Sequence, residues 1–214
     1  MERRYYLARY NINDGKLEWA KEIPIDFLPV EMSINADIDR IYFVGRFPSF
    51  GTAAFDMAGE LLWQNHDSNC VMNCKKGFTL MPGEGDVGIY ALDDRSFFVA
   101  GNFWDEERIG DRFGNETILH APCVGSADSS TTYMASYFVA RYSGDGELLF
   151  AANTYAGEVE NYADSRGATL LGDNLLLGGQ VDGTVVFGEG QPSEVAIEGP
   201  ASFIALYRPD GTLE

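Results

Sequence analysis

Along Tyr137–Ala152, YFVARYSGDGELLFAA, apolar and polar side chains alternate, give way to a Gly-bearing turn and resume in a second short run. A period of two is the mark of a half-buried strand, and Asp-Gly supplies the φ > 0 position that a tight turn needs. The stretch predicts a β-hairpin. It recurs as YYLARYNINDGKLEWA at Tyr5–Ala20, as SFIALYRPDGTLE at Ser202–Glu214 and, degraded, as TAAFDMAGELLW at Thr52–Trp63. A second kind of hairpin alternates with it. Glu31–Phe47 turns at Asp37–Asp39, Val87–Phe103 at Asp93–Asp94 and Gly167–Val181 at Gly172–Asn174.

An acidic-turn hairpin (strands A and B) followed by an Asp-Gly hairpin (strands C and D) makes a four-stranded meander. The variation in unit length falls in the B–C connection, and no stretch keeps a helical period over three turns. Four strands per roughly 40–65 residues fit propeller blades better than solenoid coils, which use shorter units. The predicted fold class is all-β, a β-propeller or partial propeller of four-stranded antiparallel blades, with about three and a half blades in this chain. Residues 1–28 read as a half blade, 29–66 as a blade, 67–153 as a blade with a long insertion and 154–214 as a further blade, all in one domain. The run stops inside a D strand, at Thr212–Glu214, which predicts a fragment of a longer propeller or a half-ring completed by another chain.

GTVVFG at Gly183–Gly188, FVARY at Phe138–Tyr142 and LEWA at Leu17–Ala20 carry a resemblance. The chain resembles the SBBP-type bacterial propeller repeat, in which a GTVxFG strand and a variable link precede FVARY and a closing LxW. The unit at Gly101–Ala151 matches at its end but has RIGDRFG in place of GTVxFG, and TAAFDMAG has lost most of the pattern. The resemblance spans nearly the whole chain and its motifs are structural. It implies a fold common in exported or surface proteins and brings no catalytic residues.

Composition agrees with a packed chain of many short strands: apolar residues make up 45%, with 24 Gly and 8 Pro. No apolar run reaches the roughly 20 residues of a membrane helix, and MERRYYLARY does not read as a signal peptide. The formal charge of −18 repels phosphate backbones, so nucleic acid is not an expected partner.

All three Cys and both His lie in two segments, HDSNCVMNC with His66, Cys70 and Cys74, and HAPC with His120 and Cys123. In an up-down meander, D–A and B–C connections emerge on one face, so the two segments are expected to meet. Three readings stand open. A disulfide, Cys70–Cys123 or Cys74–Cys123, would tie the insertion to its neighbour and leave one thiol over. Zinc bound by two or three thiolates and one or two imidazoles has suitable ligand types, although Cys-x3-Cys is not the usual knuckle. Unlinked loop residues are the third.

The acidic turns (Asp37, Asp39, Asp93, Asp94, Asp145 and Asp210) read as local caps, because calcium needs six or more oxygens converging on one point. Trp19 and Trp63 stand where a repeat packs between blades. Trp104, Asp105, Glu106, Glu107 and Arg108, with Asp111, open the insertion Trp104–Thr132 and are the candidate partner contacts. No nucleophile elbow, zinc-protease or P-loop motif occurs, so no catalytic or cofactor-binding residue is assigned. The sequence therefore predicts a non-catalytic binding or structural module of a surface or secreted bacterial protein. Its expected partner is a protein or another copy, and no cofactor is expected. The alternatives are a propeller enzyme, quinoprotein-like or glycan-active, with a site completed by further blades, and a self-assembling surface subunit.

Overall fold

The computed structural model of the chain describes residues 4–46, 50–66, 87–103, 106–120, 136–154 and 162–214. The fold is all-β. Strands β1 (Tyr5–Tyr10) and β2 (Leu17–Ile23) form a hairpin. Next, β3 (Leu28–Asn35), β4 (Arg40–Arg46), β5 (Gly51–Phe55) and β6 (Leu61–His66) form a four-stranded antiparallel meander, the second sheet.

The third sheet has the same order. Strands β7 (Val87–Ala91) and β8 (Phe97–Phe103) are followed, beyond a separate hairpin of β9 (Glu106–Gly110) and β10 (Glu116–His120), by β11 (Ser136–Tyr142) and β12 (Leu148–Asn153). They pair as β7-β8-β11-β12. The fourth sheet pairs β13 (Tyr162–Leu171) with β14 (Asn174–Asp182) and then β17 (Ala201–Tyr207). A hairpin of β15 (Thr184–Phe187) and β16 (Val195–Glu198) stands between β14 and β17. Here the structure departs from expectation. The last unit is three-stranded, and its expected D strand is reduced to one bridge, Tyr207 to Leu213.

The insertions also differ from their reading as loops. The described part of the third sheet's B–C connection and the whole of the fourth's fold as hairpins, because two buried apolar side chains suffice to seat each: Ile109 and Leu119 in one, Val185 and Phe187 in the other. RIGDRFG consequently does not superpose on GTVVFG. Arg108–Gly110 ends β9 and Asp111–Gly114 forms its turn, whereas Thr184–Phe187 is strand throughout.

Three hydrophobic layers hold the sheets face to face. The first joins the β1–β2 hairpin to the second sheet through Leu7, Ile23, Phe43 and Phe55. The next lies between the second and third sheets, with Tyr42, Phe97 and Tyr142 stacked at centroid distances of 4.5 and 5.3 Å. The last joins the third and fourth, with Phe98, Tyr137 and Val139 against Leu175, Leu177 and Phe203. Turn carbonyls are satisfied across these layers. Asn35 Nδ2 donates to Leu92 O at 2.7 Å and the Tyr42 hydroxyl to Arg95 O at 2.9 Å. Burial pushes the Tyr42 phenol up to about 12.

One relationship repeats at every layer. The turn glycines Gly59, Gly146 and Gly211 have φ of 80, 83 and 86°. Each receives an aromatic side chain from the preceding sheet. A Cβ on Gly59 would lie 2.7 Å from Trp19, on Gly146 2.9 Å from Trp63 and on Gly211 3.0 Å from Phe150. Only glycine combines that backbone with that approach. Two residues earlier in each turn, a carbonyl accepts a donor from the preceding sheet. Arg9 Nη1 reaches Met57 O at 3.4 Å, Trp63 Nε1 reaches Gly144 O at 2.9 Å and Arg141 Nη1 reaches Pro209 O at 2.6 Å.

Candidate functional site

The candidate contact region is the β9–β10 hairpin. Its turn is built by Asp111. Asp111 Oδ1 accepts from Phe113 N at 2.8 Å and Asn115 N at 3.0 Å, and Oδ2 accepts from Asn115 Nδ2 and from Leu148 N, both at 2.7 Å. Leu148 opens β12, so the carboxylate closes its own turn and also pins the hairpin to the third sheet. Burial alone would raise this carboxyl. The N–H donors from Leu148, Asn115 and Phe113 outweigh burial and hold it below its ordinary value of 3.8. With both oxygens engaged by N–H groups, Asp111 is a structural cap rather than a cation ligand.

Further hydrogen bonds fix both ends. At the tip, Arg112 N donates to Asn65 Oδ1 at 3.0 Å, and Asn65 Nδ2 donates to Gly146 O at 2.8 Å and to Thr52 Oγ1 at 3.3 Å. Asn65 is buried in β6 and so joins the second sheet, the hairpin and the β11–β12 turn. Beside it the Tyr142 hydroxyl donates to Gly110 O at 3.2 Å, and burial drives this phenol's pKa upward. At the base, Asn153 Nδ2 donates to His120 O at 3.0 Å.

The outward side exposes two apolar side chains among charged ones of both signs. Phe113 is 57% exposed at the tip, with the Arg112 guanidinium 4.9 Å from its ring centre, and Ile118 is 39% exposed. Arg108 Nη1 pairs with Glu116 Oε1 at 3.2 Å across the hairpin.

The structure places the sequence candidates as follows. Glu106, Glu107 and Arg108 open β9, His120 closes β10 and His66 closes β6. Trp104, Asp105, Cys70, Cys74 and Cys123 lie outside the described residues, and so does the D–A connection that was to meet the insertion. Among the described residues no three His, Cys, Asp or Glu side chains converge as metal ligands. Asp94 and Asp210 cap their own turns, accepting from Ser96 N at 2.9 Å and Thr212 N at 3.0 Å. Trp63 is buried in the second layer and Trp19 meets Gly59, which makes both packing residues.

Sequence reasoning missed Asn65 and Gln191. Trp63 and Asn65 share one side of β6, while a β-bulge turns Leu61 to the first layer, so an amide in the register of an inward Trp was the available signal. Gln191 repeats the role of Asp111 in the fourth sheet: its Oε1 accepts from Leu213 N at 2.8 Å and its Nε2 donates to Gly211 O at 3.1 Å. A comparison with protein-family models finds no match, and none of the curated proteins matches the sequence significantly.

Proposed function

We propose that the chain is a β-propeller-type array resembling the SBBP repeat. In this reading it is a non-catalytic binding or structural module of a surface or secreted bacterial protein, and the β9–β10 hairpin meets its partner. The propeller reading is supported by the repeated aromatic-on-glycine contact, which relates each sheet to the next in the same way, as blades around an axis are related.

The binding role rests on one observation. The hairpin is tied down at tip and base, yet it turns Phe113 and Ile118 outward. A rigid scaffold that displays exposed aromatic and aliphatic side chains is how contact surfaces are built, because little ordering entropy remains to be lost on binding.

The test is binding of the purified chain to intact bacterial cells and to immobilised surface proteins and cell-wall glycans, beside a Phe113→Ser/Ile118→Ser variant. Saturable binding that the variant loses at unchanged melting temperature supports the reading. Binding that the variant retains, absence of saturable binding, or turnover of a glycan or quinone-linked substrate overturns it.

A further inference from the structure

Each internal layer joins the forward face of one sheet to the rear face of the next. The β1–β2 hairpin shows its rear face to solvent, and the fourth sheet shows its forward face. Both carry apolar side chains at positions that are buried in every internal copy. YYLARY of β1 aligns with YFVARY of β11, which places Tyr6 with Phe138 and Tyr10 with Tyr142. Phe138 and Tyr142 are 0% exposed beneath the second sheet, while Tyr6 and Tyr10 are 64% and 62% exposed.

At the other end, SFIALY of β17 aligns with YFVARY, so Ile204 stands where Val139 does. Val139 is 1% exposed beneath the fourth sheet, and Ile204 is 80% exposed. Ile204 pairs with Gly178 and Leu206 with Leu176, so Ile204, Leu176 and Leu206 extend the forward face over two strands. The Gly15 turn is open as well. A Cβ there would meet nothing within 4 Å, whereas the other three C–D turns each hold an aromatic ring.

We infer that these two faces bind one another between copies of this chain. The forward face of the fourth sheet in one copy covers Tyr6 and Tyr10 of the next, as a fourth layer of the kind that forms three times within the chain. The occupant is a second copy because Tyr6, Tyr10 and Ile204 hold repeat positions whose counterparts Phe138, Tyr142 and Val139 are covered by the neighbouring sheet of this same chain. Such a contact is heterologous and produces a closed ring or an open filament. It rests on the repeat geometry and not on the binding role of the β9–β10 hairpin, which lies on the third sheet.

The experiment is analytical ultracentrifugation of the whole chain over a hundredfold concentration range, with Ile204→Asp and Tyr6→Asp each carried separately. Both side chains are largely exposed, so unchanged circular dichroism and melting are expected of the variants. The expected result is association of the unaltered chain, strengthened by salt because copies of charge −18 repel. Each variant alone is monomeric. An equimolar mixture of the two forms a dimer and nothing larger, since one intact pair of faces survives. A monomeric unaltered chain overturns the inference. So does association that either variant retains alone, which marks a contact between like faces or elsewhere, and so does a mixture that stays monomeric.

Discussion

The indole of Trp63 lies against Gly146 and donates its Nε1–H to Gly144 O at 2.9 Å, so one side chain of the second sheet holds both the shape and the polarity of the third sheet's turn. The hydrogen bond and the packing are separable. Trp63→Phe keeps most of the ring and orphans the carbonyl, and is expected to cost about 1 kcal/mol; Trp63→Ala also opens a cavity and costs about 3–5 kcal/mol. Urea unfolding of the two variants reads the difference. Equal losses would show that the ring's packing adds nothing beyond the hydrogen bond, and an unchanged stability of Trp63→Phe would show that the hydrogen bond contributes nothing of its own.

Gly146→Ala tests the other side of the same contact. Its Cβ would meet both a φ of 83° and the Trp63 ring. A loss of about 1–3 kcal/mol is expected. Gly114 also has a positive φ, 94°, but a Cβ there meets nothing within 4 Å. Gly114→Ala should therefore lose less, and a loss as large as at Gly146 would show that the backbone alone sets the cost.

Arg141 is 13% exposed and donates to Pro209 O, to Ser96 Oγ and, at 2.6 Å, to Asp94 Oδ2. In the fourth sheet its place is taken by Leu206, which has no turn carbonyl to reach. Arg141→Leu should cost about 1–3 kcal/mol, since a buried carbonyl and a hydroxyl lose their donor. Hydrogen exchange should show faster exchange at the Gly211 N–H, which closes the turn onto Arg208 O at 2.9 Å. Unchanged exchange there would mean that the turn stands without the guanidinium.

Asp111 gives a pH dependence with a definite sign. Its folded-state pKa lies below its ordinary 3.8, so the carboxylate's contribution is whole above that pH and is lost as pH falls through the lower folded value. Asp111→Asn sets an amide N–H against the donors Leu148 N and Asn115 Nδ2, and should cost about 1–3 kcal/mol near neutral pH. The gap between variant and unaltered chain should narrow on acidification below 3.8. A gap independent of pH would remove the carboxylate's charge from the account.

The hairpins and their order were legible because alternation and turn glycine act locally. YYLARY, YFVARY and SFIALY each announce a strand, and Asp-Gly announces where it turns. The inter-sheet role of Trp19 and Trp63 followed from their place in the repeat. The β9–β10 hairpin was not legible, since it seats itself with only Ile109 and Leu119, too few apolar positions to set up a period. Its anchor is a long-range amide, Asn65, whose partners at Arg112 and Gly146 stand 47 and 81 positions away. Sequence shows a polar residue on an inward register of β6 but not what that residue will bond.

The Trp63 contact also sets an order of events during synthesis. The indole leaves the ribosome 81 residues ahead of the carbonyl it will bind. At roughly 5–20 residues per second, that is an interval on the order of 4–16 s. Throughout it, the second sheet holds its forward face, with Trp63 and Tyr42, open to the cytosol or to whatever protein attends the nascent chain. When the third sheet emerges and covers that face, it brings an uncovered one of its own, with Val139 and Phe98. The vulnerable surface thus travels along the growing chain, one sheet behind the point of translation.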